Sequence, residues 1–89
     1  MEYFKTKDKQ LAPYLLIRSD LQFEGTLIIG PTIYFSFSPY ERALAITNKF
    51  ITHKADLVDP KLLLEAVETY RDIIFEMKEK RKNYDISTP

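Results

Sequence analysis

The chain contains no cysteine, a single histidine and only two glycines among 89 residues, and its thirteen basic and thirteen acidic side chains cancel. Each shortage removes a class of chemistry. Without cysteine there is no disulfide framework and no thiolate metal site, a composition compatible with a reducing compartment. His53 has no second histidine or cysteine with which to hold a transition metal, and it sits where a helix C-terminus is expected, which suits a solvated imidazole beside the dipole. Gly25 and Gly30 alone cannot build a Gly-rich phosphate cradle. Zero net charge argues against nucleic acid held by bulk electrostatics, and it lowers the repulsion between copies of the chain. No apolar run approaches the roughly 20 residues that span a bilayer. Met1 to Lys5 also lacks the apolar core of a signal peptide. A soluble, cytoplasmic protein with no membrane partner is the expectation.

What remains is enough for one core. The apolar fraction is 45%, with six Tyr and six Phe, and the length suits a single domain near the lower limit for folding without staples. The expected domain covers residues 1–83, with residues 84–89 as a flexible tail.

Leu27 to Glu41 is the most informative segment. It reads as a strand, a Gly30-Pro31 turn, a second strand and a helix start. In the second strand Ile33, Phe35 and Phe37 alternate with Tyr34, Ser36 and Ser38, the period of a strand with one face on a core. Ser38-Pro39-Tyr40-Glu41 has the composition of a capping box with proline at the first helical position. The preceding strand, Leu21 to Ile29, alternates too. Without a phase change it places Gln22, Glu24, Thr26 and Ile28 on the uncovered face, with Gly25 marking either a bulge or a turn.

Three helices complete the pattern. Leu11, Ala12, Leu15 and Leu16 mark a short helix from about Asp8 to Arg18, complicated by Pro13. A second runs from Pro39 to about His53, and a third from Asp59-Pro60 to about Lys82. The third, at about 23 residues, would be roughly 35 Å long, more than a small domain needs. The order is β-α-β-β-α-α, and the fold class is α+β, with a small antiparallel sheet carrying helices on one face.

The run Phe4-Lys5-Thr6-Lys7-Asp8, followed by Leu11-Ala12 and Tyr14-Leu15-Leu16, resembles the N-terminal signature of an uncharacterised family of short prokaryotic and phage proteins, a domain of unknown function. Phe35-Ser36-Phe37 and the helices after it extend the likeness to about Met77. Pro13 departs from the pattern and puts the length of the first helix in question. The resemblance implies a prokaryotic or mobile-element origin and the element order above. It brings no activity and no functional residues.

Candidate chemistry is sparse. Asp8 and Asp59 occupy positions where helix caps belong, a role worth about 1 kcal/mol each and a simpler one than acid/base catalysis. Asp20, Glu24 and Asp56 do not have the spacing of a calcium loop. The serines lack a nucleophile elbow. No catalytic residue, metal ligand or cofactor is expected. Two surfaces stand out. Ile28 and Tyr34, read as neighbours on the uncovered sheet face, suggest contact with a protein partner or a second copy, a two-fold dimer being the commonest assembly. Lys78, Lys80, Arg81 and Lys82 end the long helix. They suit the helix dipole or, alternatively, weak charge-driven contacts to nucleic acid. The leading expectation is a non-catalytic interaction protein binding a protein partner, as a regulator or inhibitor. The alternative is a nucleic-acid-binding accessory protein.

Overall fold

The computed structural model describes residues 2–87, with side chains as far as residue 80. The elements are β1 (Phe4–Thr6), α1 (Leu11–Leu16), β2 (Gln22–Ile29), β3 (Thr32–Ser38), α2 (Tyr40–Ile51) and α3 (Pro60–Ser87). The class is α+β, in the expected β-α-β-β-α-α order. The sheet is antiparallel with order β1-β3-β2, so the most regular strand, β3, is central.

Phe35 and Phe37 of β3 are fully buried and form the core with Leu11, Ala12, Tyr14 and Leu15 of α1 and Ala43 and Ile46 of α2. Phe23 rests against both Phe35 and Phe37. Tyr70 of α3 stacks on Phe35 with ring centroids 4.9 Å apart. Among the described residues all three helices therefore lie on the Phe35/Phe37 side of the sheet, and the other side has none. α3 extends five residues past the expected end at Lys82, to Ser87. Residues 88–89 of the expected tail lie outside the described residues.

Local rules explain the starts and stops. The Thr6 hydroxyl accepts the Asp8 amide at 3.1 Å, and the Asp8 carboxylate accepts the amides of Gln10 at 2.7 Å and Leu11 at 3.1 Å. Ala12 N–H then bonds to Asp8 C=O at 3.0 Å, so Asp8 caps the helix entrance in the expected way. Thr-x-Asp-x-x-Leu-Ala thus has a structural meaning: a buried threonine orders the capping aspartate, and Leu11-Ala12 is the first buried pair behind it. Pro13 is buried in the first turn of α1, where a missing N–H costs little. Asp59 caps α3 likewise, accepting the Lys61 amide at 2.9 Å.

Two expectations are corrected. The Ser38 capping box does not form: the Ser38 hydroxyl donates to the Glu24 carboxylate across the sheet, and the residue ahead of α2 is Pro39, whose carbonyl accepts Ala43 N–H at 3.0 Å. The helix begins at Tyr40 with Pro39 in the cap position, so Ser38 stands one residue too early for its hydroxyl oxygen to accept the first free amides. The second correction concerns the phase of β2. Gly25, at φ 107°, marks a bulge and no turn, with the register shifting between Phe23 and Gly25. The extra residue, Glu24, inverts the alternation from Thr26 onward.

Candidate functional site

The register sets the faces. Thr26 opposes Phe35, Leu27 opposes Tyr34, Ile28 opposes Ile33 and Ile29 opposes Thr32. Directly opposed residues of an antiparallel pair share a face. Tyr34 is therefore on the helix-free face, as expected, but its neighbours there are Leu27 and Ile29. Ile28 and Thr26 point to the helix side, where the Thr26 hydroxyl donates to the Met77 sulfur at 3.4 Å. Ile28 and Tyr34 do not share a surface. The cause is the bulge: without it the sequence alternation would have kept Ile28 outward.

The helix-free face has two ends. Near the hairpin tip, Leu27 (41% exposed) and Ile29 (54% exposed) flank the half-buried Tyr34. Toward the other end lie Ser36, Gly25 and Lys5, which are opposed in register, and then Ser38 and Gln22. The tip is closed by Gly30 at φ 59° followed by Pro31, the sign pattern of a type II′ hairpin turn in which only glycine takes the first position at no steric cost. An apolar strip is thus held on two paired strands by a tight turn, a rigid mount for a contact surface. Leu27 and Ile29 were missed by the sequence alternation. The signal that would have found them is Gly25, read as a bulge and followed by a phase change.

A second constellation was not expected at all. Arg18, just after α1, grips Asp20 in bidentate fashion, with Nε to Oδ1 at 3.0 Å and Nη2 to Oδ2 at 2.9 Å. It also reaches Asp56 between α2 and α3 at 2.9 Å. Arg42 of α2 bonds to the same Asp20 at 2.8 Å, and the Tyr14 hydroxyl donates to the Asp56 carbonyl at 2.9 Å. The arginine bonds hold the Asp20 carboxyl well below the usual carboxylate range, and Asp20 and Asp56 in turn raise the Arg18 guanidinium. Asp56 is also lowered, chiefly by its bond to Arg18. A small hollow of about 30 Å³ beside Arg18 is lined by Arg42, Lys49 and Asp56 among others, room for about one water. All three Arg18 nitrogens are bonded to carboxylates, and Nη1 also reaches the Tyr14 hydroxyl at 3.5 Å. The cluster ties the α1–β2 connection to the α2–α3 connection and to α2 itself, the work of a structural clasp.

The remaining sequence candidates are solvated. Lys78 and Lys80 are exposed, as are Glu76 and Glu79 between and beside them; the side chains of Arg81 and Lys82 lie outside the described residues. Two positions apart on a helix, Lys78 and Lys80 point in different directions. His53 is exposed just beyond α2 with φ 60°. Among the described residues no group of three or more His, Cys, Asp or Glu is arranged to hold a metal, and no helix is long and apolar enough to cross a membrane.

Comparison with known proteins finds no matching family model, no similar curated protein and no similar solved structure.

Proposed function

We propose that the protein is a non-catalytic interaction module, a small regulator or inhibitor that binds a protein partner through the helix-free face of its sheet. The observation that carries this reading is the strip of Leu27, Ile29 and Tyr34 at the hairpin tip. Exposed aliphatic side chains around a tyrosine form the kind of patch that partners cover, and tyrosine is favoured as an anchor because it buries a large area at low conformational cost. The prokaryotic or phage origin rests on the resemblance carried by Thr6, Asp8, Leu11 and Ala12.

The test is affinity capture from bacterial cells or their phage-infected lysates, with the native chain compared to Leu27→Asp and Tyr34→Ala. The expected result is a captured protein that both variants lose while their circular dichroism stays native. Equal capture by all three chains would remove the helix-free face from the reading. The nucleic-acid alternative predicts a different outcome: binding at low salt that falls steeply as salt rises and disappears with alanine at Lys78, Lys80, Arg81 and Lys82.

A further inference from the structure

The two edges of the sheet are unlike. β1 is three residues long and has α2 packed beside it, with Phe4 against Tyr40 at 6.0 Å between ring centroids. β2 is eight residues long, pairs only with β3, and contains neither lysine nor proline. Its one charge, Glu24, is turned back across the sheet to Ser38. Edge strands are normally blunted by lysine, proline or shortness because their free N–H and C=O groups invite a further strand. β2 has none of those protections beyond the Glu24 bulge.

The course of α3 says what the edge accommodates. Tyr70 lies on Phe35, and seven residues later Met77 touches Thr26. Phe35 and Thr26 oppose each other in register, so between these contacts the helix steps along one cross-strand row from the central strand to the edge strand. Beyond Met77 it continues to Ser87, about 15 Å further at 1.5 Å per residue. It overhangs the β2 edge. On either side of Thr26 the same edge strand exposes apolar side chains on the helix side, Phe23 and Ile28, each 37% accessible.

We infer that β2 pairs with β2 of a second copy about a two-fold axis, joining two sheets into one of six strands. A lone peptide strand would satisfy the edge but leave the overhang unused. A second copy satisfies both: antiparallel pairing across the axis lays each overhanging α3 above the other copy's Ile28 and Phe23. The zero net charge removes long-range repulsion between the copies. The contact strip is roughly 26 Å long for eight residues, and the narrow dimension of the molecule is 20 Å. That gives roughly 500 Å² per copy and about 1,000 Å² in total, the threshold a specific interface has to reach. The dimer uses the edge of β2 and leaves Leu27, Ile29 and Tyr34 free.

The test is the mass in solution, by light scattering coupled to gel filtration, of the native chain, Ile28→Lys and Leu27→Lys. The expected result is twice the chain mass of 10.5 kDa for the native protein and Leu27→Lys. Ile28→Lys places a charge in the apolar contact beneath the partner's α3 and should halve the mass. A native chain that stays monomeric at its highest soluble concentration overturns the inference. So does a dimer that Ile28→Lys leaves intact or that Leu27→Lys splits; the latter would mean pairing through the helix-free face. If Ile28→Lys does not fold, hydrogen exchange of the native chain decides. The β2 amides should exchange more slowly as concentration rises, and unchanged rates would overturn the proposal independently of any partner capture.

Discussion

Leu27 and Tyr34 stand directly opposite each other across the β2–β3 hairpin, on the side of the sheet that carries no helix. One residue further along β2, Ile28 opposes Ile33 under the helices. The single extra residue at the Glu24 bulge decides which of these two β2 side chains meets solvent on the open face. The same strand consequently offers two surfaces at right angles: a side-chain strip on the helix-free face, and a backbone edge beneath the α3 overhang. A partner and a second copy can occupy them together.

Neighbouring residues of β3 should therefore differ sharply in their effect on stability. Phe35→Ala empties a fully buried position against Tyr70 and Phe23 and should cost about 3–5 kcal/mol, a large share of the stability of so small a domain. Tyr34→Ala, on the open face, should cost less than about 1.5 kcal/mol. Urea melts of the two variants measure the difference; comparable losses would mean that Tyr34 is also core.

Much of the fold was legible because each feature had a local cause. The Phe35/Phe37 alternation, the Asp8 and Asp59 caps and the element order follow from patterns within a few residues. The faces of β2 were not legible, because a bulge at a glycine and a turn at a glycine look alike until a partner strand fixes the register. The Ser38 cap failed because α2 begins one residue later than the Ser-Pro-Tyr-Glu pattern implies, with Pro39 in the cap position, while the Ser38 hydroxyl donates to Glu24, fourteen residues away in sequence. The Arg18–Asp20–Asp56 cluster joins residues from separate connections that only the packing of α1 against α2 and α3 brings together. Of the candidate site, Tyr34 was legible, whereas Leu27 and Ile29 were hidden by the phase change.

The N-terminal signature makes a thermodynamic prediction of its own. Asp8→Ala leaves the amides of Gln10 and Leu11 without their acceptor and should cost about 1 kcal/mol. Asp8→Asn keeps an acceptor oxygen in place and should retain most of that stability. If both variants lose equally, the carboxylate charge matters and the cap geometry does not; chemical denaturation of the three chains distinguishes the cases.

His53 should be a site of easy gain. It takes φ 60° after α2, where Lys54 N–H reaches back to Lys49 C=O at 2.7 Å in the 6→1 bond of a Schellman cap. A side chain in the left-handed region costs about 1 kcal/mol, which glycine avoids. His53→Gly should raise stability by about that amount and Tm by about 4–8 °C for a domain this small, whereas His53→Val should lower it. Differential scanning calorimetry reads both; a lower Tm for the glycine variant would show that the imidazole makes a compensating contact.

Acid should unfold the protein partly through Asp20. Its carboxyl is held below the usual value of 3.8 by bonds from Arg18 and Arg42, so the native state binds its proton less readily than the unfolded chain. Stability from this group is therefore complete above the unfolded value and is lost as pH falls through it toward the lower native one. Asp56 shifts in the same direction through Arg18 and adds to the same slope. Because the cluster is open to water, its worth at neutral pH is modest, about 1 kcal/mol for Asp20→Asn. The clearer signature is the pH dependence. Urea midpoints of the native chain should fall between about pH 5 and pH 2, and Asp20→Asn should flatten that slope while leaving the melt at neutral pH cooperative. An identical slope in the variant would assign the acid sensitivity to other carboxylates and leave the Arg18 bonds without a measurable part in stability.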